Sequence, residues 1–372
     1  MVWPMVLFFV LTVPVLLYTM TIVLFTIVIF SKKNDSHMPH CQPVSVIIPF
    51  RDEVHNIPPL IQSLGAQIYP EEFELILIDD NSSDRGREVA DRIARELTVK
   101  TRVESLKIDP AKNLTSKQQA LDYGVKLARY PLVVFTDADM IFDQVWLKDL
   151  AGSLTQDLDL VFGHTSVIKR KSRSLFELLE SFQLELLFCF ALAFDKANLC
   201  GSGMGNNIAF RKENYTRCGG QSAIGYSIVE DRGLMALFKK NGCNTASQSP
   251  FTPKAYTYPC SDLRQFSNQL RRWASGGLSA QSNLVPFALL FFIQNTLLLL
   301  TPMGILPTLL FWPLLMNFFL TWLFAALCFK KSGSKESALL FPLYYIFLIV
   351  ETVLWGISIL LRQKVRWKER TL

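Results

Sequence analysis

Leu132-Val133-Val134-Phe135-Thr136-Asp137-Ala138-Asp139 is a short apolar, β-branched run that ends in two carboxylates spaced by one residue. The run reads as a buried strand. Positions i and i+2 of an extended chain point the same way, so Asp137 and Asp139 are expected to project together from its carboxyl end. That is where open α/β sheets bind ligands. Two hard oxygen ligands at one edge suit a divalent cation that keeps some waters and takes phosphate oxygens for the rest. The stretch points to a metal-bridged nucleotide site, provided the surrounding chain supplies the sheet and the remaining groups.

Upstream, the sheet is legible. Val44-Ser45-Val46-Ile47-Ile48-Pro49 reads as a buried parallel strand, and 56–67 has the Leu60, Ile61, Leu64 spacing of a helix. A second strand, 73–78, ends in Asp79-Asp80; 86–97 is an amphipathic helix, and 117–127 is another. Strands alternating with helices imply βαβ units and a parallel sheet. Asp79 and Asp80 then open onto the same crevice as Asp137 and Asp139, where an acidic group can accept from a ribose hydroxyl or a base N–H. Asp79-Asp80-Asn81-Ser82-Ser83-Asp84 is also rich in turn formers, so an Asx turn is the competing reading.

Two common nucleotide motifs are absent. Pro49-Phe50-Arg51-Asp52-Glu53 stands where a GxGxxG would follow the first strand, and no GxxxxGK[ST] loop occurs. Gly201-Ser202-Gly203-Met204-Gly205 comes after a long apolar helix, a context for a tight turn near a ligand or for a plain loop.

The 372 residues are half hydrophobic, and the apolar residues gather at the two ends. Residues 2–30 carry no charge and are long enough to cross a ~30 Å bilayer. They lack a basic n-region and a clear cleavage site, so they read as a retained anchor, with Lys32 and Lys33 favouring the cytoplasmic side for the chain beyond them. Residues 285–329 are almost uncharged, and 339–361 form another apolar run interrupted by Glu351. The basic tail (Arg362, Lys364, Arg366, Lys368, Arg370) is expected inside and the 330–338 loop, with Lys330, Lys331 and Lys335, outside. That arrangement makes 285–301 interfacial or re-entrant and 303–329 the span; two full spans there would reverse the tail. The total is three or four spans. The domain expectation is an anchor at 1–33, a catalytic body at 42–283 divided near 165, and a membrane region at 285–372.

The charge balance agrees with a membrane setting. The flanking basic residues, less Glu336 and Glu369, carry about +8 against +6 for the whole chain, leaving the body slightly acidic. A slightly acidic body has no electrostatic footprint for nucleic acid. The seven cysteines show no CxxC spacing and the four histidines no pairing, so neither suggests a zinc site.

Two further constellations carry chemistry. Glu230-Asp231 opens a helical stretch, where acids suit the dipole and where a base could also sit within reach of a hydroxyl. Gln269, Arg272 and Trp273 fall at i, i+3, i+4, one helix face that suits sugar stacking on the indole and neutralisation of a pyrophosphate by the guanidinium. An interfacial helix with its Trp at headgroup level is the alternative.

In order and spacing, Pro49-x-Arg51-Asp52-Glu53, Asp79-Asp80, Asp137-x-Asp139, Glu230-Asp231 and Gln269-x-x-Arg272-Trp273 resemble family 2 glycosyltransferases. The membrane-bound branch, with cellulose, chitin and hyaluronan synthases and ceramide glucosyltransferases, is the most similar. The resemblance spans about 42–283 and implies a GT-A-like α/β fold flanked by transmembrane helices. It implies donor contacts from Pro49, Arg51, Glu53, Asp79, Asp80, Lys117 and Asp137, with Asp79 and Asp80 on the uridine of a UDP-sugar. Asp139 and Asp137 would serve a Mg2+ or Mn2+ ion, with Asp139 the direct ligand. Asp231 would be the general base, and Glu230, Gln269, Arg272 and Trp273 would meet the acceptor or the departing diphosphate. Ser116-Lys117-Gln118-Gln119-Ala120-Leu121 resembles the family's Gly-Lys-x-x-Ala-Leu element, with Ser116 in place of the glycine.

The resemblance implies one inverting displacement at the anomeric carbon, in the bacterial inner membrane with the catalytic body cytoplasmic. The acceptor stays open between a membrane lipid and a growing polysaccharide. Two or three C-terminal spans make a thin wall for a polymer conduit, which favours the lipid. The long helix 174–194, with Glu177, Glu180 and Glu185, could lie at the bilayer or in a core. A non-catalytic nucleotide-binding scaffold is the reading from another class.

Overall fold

The computed structural model describes residues 2–31, 40–168, 174–199, 203–248, 251–277, 284–334, 336–361, 366–367 and 370–371. The expectations for Lys32, Lys33, Gly201, Ser202, Lys335, Arg362, Lys364 and Lys368 lie outside the described residues. By contacts the chain divides into two units, one of Asn34–Ser172 with Gly201–Pro259, the other of Met1–Lys33, Arg173–Cys200 and Cys260–Leu372.

In chain order, α1 (Val2–Ser31) belongs to the second of these units. The first unit then runs β1 (Val44–Phe50), α2 (Ile57–Gly65), β2 (Phe73–Asp79), α3 (Gly86–Glu96), β3 (Lys100–Ser105) and α4 (Ser116–Leu127). It continues with β4 (Leu132–Phe135), β5 (Met140–Phe142), α5 (Trp146–Gly152), β6 (Leu160–Phe162) and β7 (Thr165–Val167). After α6 (Leu175–Lys196), which groups with the second unit, come β8 (Ile208–Arg211), α7 (Lys212–Cys218), α8 (Gly220–Ile224), α9 (Glu230–Lys240), β9 (Thr245–Ser247) and β10 (Ala255–Thr257). The second unit closes with α10 (Leu263–Gly277), α11 (Leu284–Leu300), α12 (Phe311–Ser332) and α13 (Phe341–Leu360).

The seven strands of the main sheet lie in the order β3-β2-β1-β4-β8-β6-β9. Strands β1 to β4 are mutually parallel, while β8 runs antiparallel to both β4 and β6. Strand order reverses between β1 and β4, so a crevice opens beyond their carboxyl ends. Period-2 alternation sends Val44, Val46, Ile48 and Phe50 to one face, where they pack with Ile57, Leu60, Ile61 and Leu64 of α2 and Trp146, Leu147 and Leu150 of α5. Ile47 faces the other side and meets α4 at Gly124, where a Cβ would lie 2.4 Å from the isoleucine methyl. This close approach lets α4 sit low on the sheet and brings its first turn to the crevice. A three-stranded sheet, β5-β10-β7, lies beyond the second acidic strand end.

In the helical unit, four segments are long and apolar enough to cross a membrane by length and composition: Phe8–Ser31, Leu284–Met303, Thr308–Ser332 and Ala338–Ser358. By length and composition this favours the alternative of two full spans over 285–329, four in all, over a single span at 303–329. α11 and the short turn after it already cover about 30 Å at 1.5 Å per residue. The chain then breaks at Gly304, which has φ 69°, and α12 begins only at Phe311. Polar side chains tie α1, α11 and α12 together. Buried Asn317 accepts from the Thr19 hydroxyl (2.6 Å) and donates to the Val15 carbonyl (3.0 Å) and to Gln294 (3.1 Å). Such groups find partners on neighbouring helices where lipid supplies none.

Candidate active site

Asp79 and Asp80 are buried at the end of β2. Asp79 accepts the Ser82 N–H at 3.0 Å, a local turn bond, and the Asp80 N–H donates to the Phe50 carbonyl at 2.8 Å. The loop after β1 is bound to the loop after β2 through Asp52, which adopts φ 53°. Its carboxylate accepts from the Ser83 N–H (2.6 Å), the Ser83 hydroxyl (3.0 Å) and the Asp84 N–H (3.3 Å). Burial works against the charge, but these bonds prevail and hold the Asp52 carboxyl below its ordinary range. Pro49 lies within β1 opposite Ile78, Arg51 sits 3.5 Å from the Asp52 carboxylate, and Glu53 accepts from Asn56 at 2.6 Å. Asp52, quoted in the motif but assigned no role there, therefore fixes this rim together with Asp84, which accepts the Val54 N–H at 2.9 Å.

The first turn of α4 carries Lys117. A capping box of Thr115 and Gln118 starts that helix. A cation there opposes the helix dipole, so its partners matter. Lys117 Nζ lies 2.7 Å from Asp137 Oδ1 and 2.7 Å from Glu230 Oε1. Burial lowers the pKa of Lys117, yet these two carboxylates outweigh it and hold the ammonium well above the ordinary lysine range. One lysine thus gathers the acidic end of β4 and the first turn of α9.

The reading of Asp137 and Asp139 as two same-facing positions of a strand is corrected. β4 ends at Phe135, and Ala138 and Asp139 form a turn before β5. Asp137 pairs with Lys117, whereas the Thr257 hydroxyl of β10 lies 3.5 Å from Asp139. The turn serves both sheets, since β5 must leave β4 to pair with β10.

Asp231 is next to Glu230 in the first turn of α9, and one of its oxygens accepts the Arg232 N–H at 2.8 Å. Burial first, then the charges of Glu230 and Asp137, push its carboxyl up to about 6 against the opposing pull of Arg232 and Lys117. A carboxyl so raised titrates near the range in which general bases work.

The described glycines of 203–205 make room for α9. A Cβ on Gly203 would lie 2.7 Å from Met235 Sδ, and one on Gly205 would lie 2.6 Å from Asp231 Cβ. The segment is pinned where Thr136 donates to the Asn206 carbonyl (2.8 Å). Gly205→Ala should therefore displace Asp231 and destabilise the unit by about 1–3 kcal/mol, as overpacking does. A thermal melt together with kcat checks this; wild-type values for both would refute the contact.

Among the described residues, no three His, Cys, Asp or Glu side chains group as a metal cage. Asp137 and Asp139 offer two carboxylates, a donor set that fits an ion completing its shell with water and phosphate oxygens. Gln269, Arg272 and Trp273 lie on α10, in the helical unit. There Phe266 stacks on Phe347 of α13 with centroids 6.0 Å apart, and Ser267 donates to Glu351 at 3.3 Å. Gln269 accepts from the Cys260 thiol at 3.6 Å.

Comparison with known proteins bears out the fold. Residues 45–219 match the family model of glycosyl transferase family 2. Over 123 residues the chain is 27% identical to Glycosyltransferase AglE of Haloferax volcanii, covering 32% of this chain and 38% of that protein. Over 112 residues it is 35% identical to 4,4'-diaponeurosporenoate glycosyltransferase of Staphylococcus haemolyticus, covering 30% and 27%. The chain thus spans well under half the length of these curated relatives. Mannosyltransferase PcManGT from Pyrobaculum calidifontis, solved in complex with GDP-Man and Mn2+, matches in fold with a TM-score of 0.56 at 15% identity, over 95% of this chain and 99% of that one. The fold is GT-A-like, a mostly parallel sheet with helices on both faces.

Proposed function

We propose that this chain is a membrane-bound, inverting glycosyltransferase that moves a sugar from a nucleotide sugar, a UDP-sugar, to a membrane lipid. The observation that carries the reading is the meeting of Asp137, Lys117 and Glu230 at the crevice, with the raised carboxyl of Asp231 beside them. The family match over 45–219 and relatives named as glycosyltransferases support it.

In this mechanism Asp79 and Asp80 hold the uridine and Lys117 meets the diphosphate. Asp231 accepts the acceptor hydroxyl proton as the new bond forms opposite the leaving diphosphate. Asp139 and Asp137 would hold Mg2+ or Mn2+, which when bound supplies positive charge to the diphosphate. Trp273 and Gln269 present a stacking face and an amide to the acceptor. The four helices are long and apolar enough to cross the bilayer, and Lys32 and Lys33 favour the cytoplasmic side for the catalytic unit.

The proton-accepting role has a pH signature. Below about 6 Asp231 is protonated and cannot accept a proton, so kcat should fall about tenfold per pH unit there and level off above. Glu230→Gln removes a neighbouring negative charge and should move this limb to lower pH. A profile flat down to pH 5 would remove Asp231 as the base.

The reading as a whole is tested by incubating membranes that hold the protein with labelled UDP- and GDP-sugars, then separating lipid-extractable from polymeric product. Label in the lipid fraction is the expected result. Label only in polymer would replace the lipid acceptor with a polysaccharide, and no transfer from any donor would leave a nucleotide-binding scaffold.

A further inference from the structure

The α4 and α9 first turns are separated by over a hundred residues in sequence, yet the Lys117–Glu230 pair joins them. The next residue, Gln118, has no exposed surface. Its amide oxygen accepts the N–H groups of Thr115 (3.0 Å) and Ser227 (3.1 Å). Its amide nitrogen donates to the Gly225 carbonyl (2.8 Å) and to Gln221 Oε1 (3.1 Å). All four hydrogen-bonding places of a primary amide are therefore used. One bond completes the α4 cap, and the other three hold α8 and the segment leading to Glu230 and Asp231.

Gly225 adopts φ 73°, ψ −170°, a backbone region essentially restricted to glycine. α9 starts at Val229 with no side-chain cap; the Ser227 hydroxyl accepts the Val229 N–H at 3.3 Å, and Asp231 accepts the Arg232 N–H at 2.8 Å. A hydrophobic residue of the same size at 118 would fill the space but leave the Ser227 N–H and the Gly225 carbonyl unmatched. An amide that saturates its bonding across two elements fixes their spacing in a way that apolar packing does not.

We propose that Gln118 is a positioning residue that sets the location of Asp231 relative to Lys117, by clamping residues 225–227 to the first turn of α4. Gln118 is wholly buried and acts through α9. The proposal rests on the reading of Asp231 as the proton acceptor.

Two variants approach the clamp from opposite ends. Gln118→Met keeps the volume and removes the amide. Gly225→Ala leaves α4 untouched, and its added methyl meets no atom within 4 Å, so it acts only through the backbone conformation. Both should lower kcat on the order of 10- to 100-fold, the scale of a small misplacement of a reacting group. The donor KM and the UDP dissociation constant should stay within about threefold of wild type in both, since the donor rim at Asp52, Asp79 and Asp80 is built separately. Combining the two should lower kcat no further than the worse single variant, because both release the same segment.

Unchanged kcat in either variant that still binds UDP would overturn the clamp. So would a loss of UDP affinity matching the loss of rate, which would make Gln118 part of the donor pocket. Asp231→Asn, assayed alongside, separates the two readings. If it keeps its activity, the base assignment fails on its own, whatever Gln118 does; if it is inactive while both clamp variants are normal, only the clamp fails.

Discussion

Asp231→Asn should lower kcat by about 10³-fold while UDP binding stays within about threefold of wild type, a loss typical of removing a general base. Asparagine keeps the shape of the side chain and can still accept the Arg232 N–H, which now lies 2.8 Å from the carboxylate. It also fits beside Gly205, so the fold should tolerate it. What it loses is the ability to take a proton; burial and the charge of Glu230 push the native carboxyl up to about 6, near the range in which general bases work. Single-turnover transfer and calorimetric UDP binding check the two halves separately. Equal loss of rate and binding would make Asp231 a donor contact, and retained rate would leave the reaction without its base.

Removal of divalent metal should stop turnover, by at least about 100-fold, with Mn2+ or Mg2+ restoring it. Two carboxylates cannot saturate an ion, so its affinity should depend on the diphosphate supplying further oxygens. Asp139→Ala should accordingly weaken Mn2+ binding in the presence of UDP, read by paramagnetic resonance with no need of turnover. Activity that survives thorough chelation would remove the metal, leaving Lys117 to neutralise the leaving group.

The parallel core was legible because β1, β2 and β4 are apolar runs and α2, α3 and α4 have helical spacing. The acidic strand ends were legible for the same reason, since each closes such a run. Strands of three residues, such as β5, β7 and β10, carry too little periodicity to be read, and they make up the sheet that turns the chain at Ala138 and Asp139. The same shortness hid β6 and β9. Gly205 reads only as a tight turn or plain loop, and Gln118 only as part of the Lys117 element, because their partners, Asp231 and Ser227, are distant in sequence and a buried amide or glycine announces no partner of its own. For α11 the two signals differ: charge rules weigh the flanks of a span, whereas its own length and apolarity suffice for a crossing.

In the proposed mechanism one crevice on this sheet transfers sugar from a nucleotide, with Asp231 taking the proton. The most direct measurement compares wild type and Asp231→Asn in the same membranes, tracking label from a UDP-sugar into lipid and UDP affinity side by side. Label entering lipid with wild type alone, at matched UDP affinity, is the predicted result. Equal labelling by both proteins, or by neither, would contradict it.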